Sequence, residues 1–79
     1  MKPVEDLLTE LETHVQEAAP ARGHAFLVSG ITRIEIEQLH GKTRWLVNNR
    51  LADRECAGRA IEFARLHRYT VFTDYPKKV

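Results

Sequence analysis

The sequence predicts a two-layer α+β domain with the element order helix, antiparallel hairpin strands, helix and strand. The first observation is that two stretches carry apolar residues at spacings of three and four, the period of an amphipathic helix. The second is that β-branched and aromatic residues alternate with polar ones between these stretches, and again after the second, which is the period of a strand. The third is length, since 79 residues make a single domain that spans residues 1–79.

The first helix is predicted over about residues 3–19. Pro20 ends the pattern, because proline cannot continue a helix. Glu5 and Asp6 lie in the first turn, where they favour the positive end of the helix dipole. The apolar stripe comprises Val4, Leu7, Leu8, Leu11, Val15 and Ala18.

A β-hairpin is predicted around the His40-Gly41 loop. With these two residues as the loop, Ile36 faces Trp45 on one side of the sheet. On the other side Glu37 faces Arg44, and an opposite-charge pair across two strands stabilises that register.

Upstream, the Ser29-Gly30 pair is predicted to form a second two-residue loop that joins two further strands. Ala25 and Leu27 then share the face of Ile34. The opposite face carries Phe26, Val28 and Ile31. The alternative is a single long strand that bends at Gly30.

The second helix is predicted to begin at Leu51 or Arg54 and to end at His67, with Asp53 or Asn49 as its N-cap. A last strand follows over about residues 69–73. The apolar side of the helix is predicted to comprise Cys56, Ala57, Ala60, Ile61, Phe63 and Ala64.

Composition and charge exclude several classes of protein. The 12 Lys and Arg nearly balance the 11 Asp and Glu, so the formal net charge is +1 and the charge signature of a disordered chain is absent. No apolar run approaches the roughly 18 residues of a membrane helix, and the first residues lack the apolar core of a signal peptide. We therefore expect a cytoplasmic protein without a membrane partner.

Residue types that carry chemistry are few and scattered. The only cysteine, Cys56, lies on the apolar side of the second helix, where a thiol is inert. The 4 histidines show no metal-binding spacing, so a zinc site would have to be assembled from distant segments. Glu35 and Glu37 share a strand face and could hold a cation. Arg33 and Arg44 flank them, however, which favours a salt-bridged surface. The sequence therefore predicts no catalytic residue, no cofactor and no metal site, and a protein that is not an enzyme.

An excess of apolar residues on the second sheet face is the main functional signal. Two helices can cover one face of a small sheet, and a monomer would then show polar residues on the other face. Here that other face carries apolar residues bordered by charges, which is the composition of a protein interface. One of the consecutive Val71 and Phe72 adds to it, because neighbours on a strand point to opposite faces. The predicted interface residues are Phe26, Val28, Ile31, Arg33, Glu35, Arg44 and Leu46.

These residues predict a small regulatory or inhibitory protein that binds a larger protein, or forms a homodimer, through its sheet. A mobile-element origin, on a phage or a plasmid, is a hypothesis from chain size alone. In the alternative arrangement one helix covers each sheet face, and the apolar residues are then ordinary core.

Nucleic-acid binding is the alternative function. Residues 1–20 carry a charge balance of −4 and residues 21–79 one of +5, so the second part of the chain is basic. Arginine binds phosphate with two parallel hydrogen bonds. In the other interpretation the acidic first helix lies against the basic remainder, and Glu55 and Glu62 neutralise arginines one turn further along the second helix. The arginines that would contact a nucleic acid are Arg54, Arg59, Arg65 and Arg68.

Overall fold

Five antiparallel strands form one sheet with two helices packed against it, in a computed structural model that describes residues 2–18, 22–69 and 71–74. The predicted α+β class and element order are confirmed. The elements in chain order are α1 (Val4–Ala18), β1 (Arg22–Ser29), β2 (Thr32–Leu39), β3 (Lys42–Val47), β4 (Arg50–Ala52), α2 (Arg54–Leu66) and β5 (Val71–Asp74). The strand order in the sheet is β4-β3-β2-β1-β5, so β2 is the central strand.

Helix α1 forms where the apolar spacing predicts it. The residues of its predicted stripe from Val4 to Val15 pack in or against the core, and Glu5 and Asp6 occupy its first turn. The predicted ends at Ala19 and Pro20 lie outside the described residues. The buried residues of α1 are Leu7, Leu8, Leu11 and Val15.

The hairpin between β2 and β3 has the predicted register. Ile36 pairs with Trp45 and Glu37 with Arg44 around the His40-Gly41 loop. Both loop residues have positive φ, 50° for His40 and 79° for Gly41. This is the backbone of a type I′ turn, whose twist matches that of the flanking strands.

The hairpin between β1 and β2 exists, but its predicted loop is displaced by one residue. Ser29 pairs with Thr32, so the loop is Gly30-Ile31 and not Ser29-Gly30. Gly30 takes the first loop position with a φ of 61°, a conformation that suits glycine best. Ser29 therefore stays in the strand, where it is buried. The face assignment of β1 is unaffected. The displaced loop moves the β2 partner of each β1 residue by two positions, and every second residue of a strand lies on the same face.

Strand β4 is absent from the sequence prediction. Asn48 and Asn49 both adopt positive φ and turn the chain back along β3, so that Leu51 pairs with Leu46. The backbone N–H of Arg33 donates to Asn48 Oδ1 at 2.7 Å, which ties this turn to β2. Asparagine tolerates the left-handed region, so the Asn-Asn pair was a turn signal.

Helix α2 begins at Arg54 with Asp53 as its N-cap, one of the two predicted caps. The Asp53 carboxylate accepts from the backbone N–H of Cys56 at 2.8 Å. The placement of Phe63 on the buried side is wrong, since its side chain is 59% exposed. Phe63 follows Ile61 by two residues and so points to nearly the opposite side of the helix. The buried residues of α2 are Ala57, Gly58, Ile61 and Ala64.

The core lies between the two helices and one face of the sheet. Helix α1 packs on β1 and β2, and α2 packs on β2 and β3. In the described ranges no helix lies on the opposite face, so the alternative with one helix on each face is wrong. Side chains that are fully buried between the layers include Leu11, Leu27, Ile34, Ile36 and Ile61.

Gly23→Ala is expected to lower the free energy of unfolding by about 1–3 kcal/mol. A Cβ atom on Gly23 would overlap the carbonyl oxygen of Val15, so β1 and the end of α1 would have to move apart. Without such a contact the same substitution stabilises a protein, because alanine restricts the unfolded chain. Denaturant unfolding measures the sign, and a raised midpoint would contradict the close packing of α1 on β1.

Asp53→Asn is expected to remove part of the acid sensitivity of the fold. The N–H of Cys56 holds the pKa of Asp53 below its ordinary value of 3.8. A carboxyl whose pKa is lower in the folded state stabilises the fold above the unfolded pKa, and this stabilisation disappears as the pH falls through the folded pKa.

Asparagine keeps the acceptor oxygen but does not titrate. Thermal unfolding of the parent and Asp53→Asn from neutral pH to about pH 2 measures the effect. The advantage of the parent near neutrality should vanish in acid. A difference in melting temperature that stays constant with pH would contradict this role of the carboxylate.

Candidate interaction face

The sheet face turned away from both helices is the candidate site, and we call it the open face. Strand pairing places side chains of all five strands on it. Cross-strand partners share a face, and alternate residues along a strand do the same. The members of the open face whose burial the structure describes are His24, Phe26, Val28, Arg33, Glu35, Glu37, Leu39, Lys42, Arg44, Leu46, Leu51 and Phe72.

Six of the seven predicted interface residues lie together on the open face. They are Phe26, Val28, Arg33, Glu35, Arg44 and Leu46. Ile31 is the exception: it lies in the loop between β1 and β2 and is 88% exposed. The displaced loop explains the difference, because a residue in a two-residue turn belongs to neither sheet face.

The apolar residues of the open face form two flanks. On one side, Phe26 and Val28 on β1 lie beside Phe72 on β5, and the Phe26 and Phe72 rings are tilted with centroids 6.4 Å apart. On the other side, Leu46 pairs with Leu51. The outermost members are the most exposed, 63% for Phe72 and 76% for Leu51. Large apolar side chains grouped on an exposed face are typical of interaction surfaces.

Charged residues occupy the centre of the open face, so the predicted apolar centre with a charged border is wrong. Arg33, Glu35 and Glu37 alternate along β2, the middle strand of the sheet. The sequence predicts these residues at the border, because it predicts neither β4 nor the position of β5 in the sheet. These two strands add Leu51 and Phe72 outside the charged row.

Each central carboxylate is held by a cation. The Nε of Arg33 donates to Glu35 Oε1 at 2.7 Å, and His24 Nε2 lies 3.0 Å from Glu35 Oε2. On the neighbouring pair, Arg44 Nη2 donates to Glu37 Oε2 at 2.8 Å. The contacts with His24 and then with Arg33 hold the pKa of Glu35 below its ordinary value, so this carboxylate is ionised at neutral pH.

Arg33 also joins the charged centre to one apolar flank. Its guanidinium carbon lies 3.9 Å from the centroid of the Phe26 ring. A cation over an aromatic face is attracted by the ring quadrupole. The side chain of Arg33 is thereby fixed at both the ring and the Glu35 carboxylate, and the open face has a defined shape at this point.

Sequence reasoning missed three members of the open face. Leu51 was assigned near the start of a helix, although the Asn48-Asn49 turn was the signal that would have placed it on a strand. His24 was treated as one of four scattered histidines. The register of β1 on β2, with His24 opposite Glu37, would have brought it to this face. Leu39 closes the face at the end of β2 and is 42% exposed.

The four arginines of the nucleic-acid alternative do not form one surface. Arg54 donates through Nε to Glu12 at 2.7 Å and lies 2.6 Å from Glu5, both on α1. These carboxylates raise the pKa of Arg54, and Arg54 in turn lowers that of Glu5. The acidic first helix thus lies against the basic part of the chain and neutralises it locally.

The other three arginines do not take part in this contact with Glu5 and Glu12. Arg59 pairs with Glu55 at 3.4 Å, as the helical spacing predicts. Arg65 is half-buried, its Nε has no hydrogen-bond partner among the described residues, and no ion pair with Glu62 forms there. Arg68 follows the end of α2 with a φ of 58°.

Neither helix of the described chain combines the length and the apolar character that crossing a bilayer requires.

No model of a known protein family matches this chain, and neither a curated protein nor a solved structure matches it.

Proposed function

We propose that this chain is a small regulatory or inhibitory protein that acts by stoichiometric binding, and that its open face binds a second copy of the chain. The observation that carries the proposal is the packing of both helices on one side of the sheet, which leaves apolar side chains on the other side in contact with solvent. Burying that apolar surface provides the driving force for association.

Charge favours a second copy as the occupant. Along β2 the outward charges run positive at Arg33, negative at Glu35 and negative at Glu37. A two-fold axis in the plane of the face, at right angles to the strands and through the row of Glu35, reverses this order in the second copy. Arg33 of one copy then lies opposite Glu37 of the other, which is the opposite-charge arrangement that sets the register of an interface.

The same axis matches the apolar flanks. An axis at right angles to the strands places each apolar flank of one chain over the same flank of the other chain. Phe26 then meets Phe26, and Leu51 meets Leu51. Phe26, Leu46 and Leu51 are all in the cross-strand row of Glu35 and therefore lie on this axis. The axis also places Glu35 on its own copy, and each of these carboxylates is held by Arg33 of its own chain at 2.7 Å. An axis parallel to the strands and over β2 would instead place Arg33, Glu35 and Glu37 each on a like charge, which is less favourable.

The size of the face predicts a modest affinity. Five strands at a spacing of about 4.8 Å, with central strands of 8 residues, cover roughly 24 by 26 Å, and less at the short edge strands. Two such faces bury on the order of 1,000 Å² in total, which is the lower bound for a specific interface. We therefore expect a dissociation constant in the micromolar range.

Binding without catalysis is favoured by the state of the reactive side chains. Ser29 is the only serine in the chain, and its side chain is buried in the core at 1% exposure. Cys56 is half-buried on α2 and lies on the other side of the sheet from the open face. The carboxylates of the open face are already paired with cations.

Leu51→Glu is expected to weaken self-association by more than about tenfold, because two carboxylates would be buried against each other on the two-fold axis. Leu51 is 76% exposed in the single chain, so its replacement leaves the fold intact. The matched control is Leu66→Glu, which changes an equally exposed leucine, at 81%, on α2 on the far side of the sheet. Light scattering over a concentration series measures both variants, with Phe72→Glu as a second variant on the opposite flank.

The expected result is a parent dimer that Leu51→Glu and Phe72→Glu dissociate and Leu66→Glu does not. A parent that stays monomeric, or a dimer that only Leu66→Glu dissociates, would overturn the proposal and leave a larger protein as the occupant of the face. The same measurement with added DNA or RNA tests the alternative function. A complex that disappears with salt and with Arg59→Glu combined with Arg65→Glu would show that nucleic acid is the partner.

A further inference from the structure

We propose that His24, Glu35 and Glu37 form a binding site for a divalent transition-metal ion such as Zn²⁺ on the open face. One ligand atom from each side chain, an imidazole nitrogen and two carboxylate oxygens, lies within 4.8 Å of the other two. The sequence shows no metal-binding spacing, because the histidine precedes the two glutamates by 11 and 13 positions. The hairpin of β1 and β2 brings them together.

The strand register explains why these three side chains meet. His24 is the cross-strand partner of Glu37, and Glu35 is two residues before Glu37 on the same side of β2. Partners directly across and diagonally across two strands are within reach of long side chains. The site is therefore built on two central strands of the sheet and not on loops, which favours a fixed geometry.

The distances suit a small ion after modest side-chain rotation. Tetrahedral ligands at about 2.0–2.1 Å from Zn²⁺ are roughly 3.3 Å apart. His24 Nε2 and Glu35 Oε2 are already 3.0 Å apart. A carboxylate oxygen of Glu37 lies within 4.8 Å of a ligand atom of each of these two side chains, and the Glu37 side chain is 33% exposed.

Each of the two arginines of the face binds one oxygen of one of these carboxylates. Arg33 donates to Glu35 Oε1 while Oε2 faces His24. Arg44 donates to Glu37 Oε2, which leaves Oε1 for the ion. Carboxylate ligands of metal sites are commonly held in this way by a hydrogen bond on the second oxygen, which fixes their orientation.

The ligand set selects the class of ion. An imidazole nitrogen is a ligand for Zn²⁺ and neighbouring transition metals, whereas Ca²⁺ and Mg²⁺ prefer oxygen alone. Three protein ligands leave one tetrahedral position for water or another donor. The side chain of His24 is 43% exposed, so that position is open to solvent.

This inference does not rest on the proposed self-association, since all three ligands belong to one chain. Metal binding by a monomeric protein would support the site while overturning the dimer. A dimer that binds no metal would support self-association while overturning the metal site. The two proposals therefore fail separately.

The test is titration of the untagged, metal-free full chain with Zn²⁺ by calorimetry, and with Co²⁺ by visible absorption, which reports tetrahedral coordination. We expect saturable binding of no more than one ion per chain. His24→Ala should weaken it by more than about tenfold, because one of three ligands is lost. Glu35→Gln, which keeps the shape of the side chain, should weaken it in the same direction.

The matched control is His40→Asn, which removes a histidine from an exposed turn outside the cluster. His40 has a φ of 50°, and asparagine tolerates that conformation. Circular dichroism verifies that each variant is folded. Absence of binding by the parent, binding that His24→Ala leaves unchanged, or equal loss in His40→Asn would overturn the proposal.

Discussion

The packing of both helices on one side of the sheet is the constraint on which the rest of the structure depends. The two helices approach closely at Gly58, where a Cβ atom would lie 3.3 Å from Leu8 Cδ1. Arg54 at the start of α2 reaches across to Glu5 and Glu12 on α1, so the helices are also joined by charge. With the helices next to each other on one face, no helix of the described residues covers the other face of the sheet.

The character of that open face follows from the central position of β2. Strand β2 alternates Ile34 and Ile36, which are fully buried, with outward charged residues that include Glu35. Its inner side anchors the core, and its outer side puts carboxylates and guanidinium groups in the middle of the face. The apolar side chains of the open face therefore lie on β1 and β5 on one side and on β3 and β4 on the other. In the proposed two-fold arrangement, Arg33 of one copy would meet Glu37 of the other while apolar flanks meet apolar flanks.

The same alternation places a histidine among the carboxylates. His24 precedes the buried Ala25 on β1, so it points outward, and the antiparallel register sets it opposite Glu37. In the isolated chain Glu35 forms an ion pair with Arg33 and contacts the His24 ring. An ion at this site would replace the contact between His24 and Glu35. The proposed self-association and the proposed metal binding would therefore use the same surface.

The sequence by itself determined α1, the His40-Gly41 hairpin, and the faces on which residues 25–28 and 33–37 lie, because helical and strand periods are local properties. From that alternation it also placed six of the seven predicted interface residues on one sheet face. Only the tertiary structure decided that β5 pairs with β1 and that β2 is the central strand. It also decided that the charges lie at the centre and that His24 meets Glu35. These features depend on pairing between distant segments, where the order of strands and the side taken by each helix are set by packing and not by the spacing of neighbouring residues.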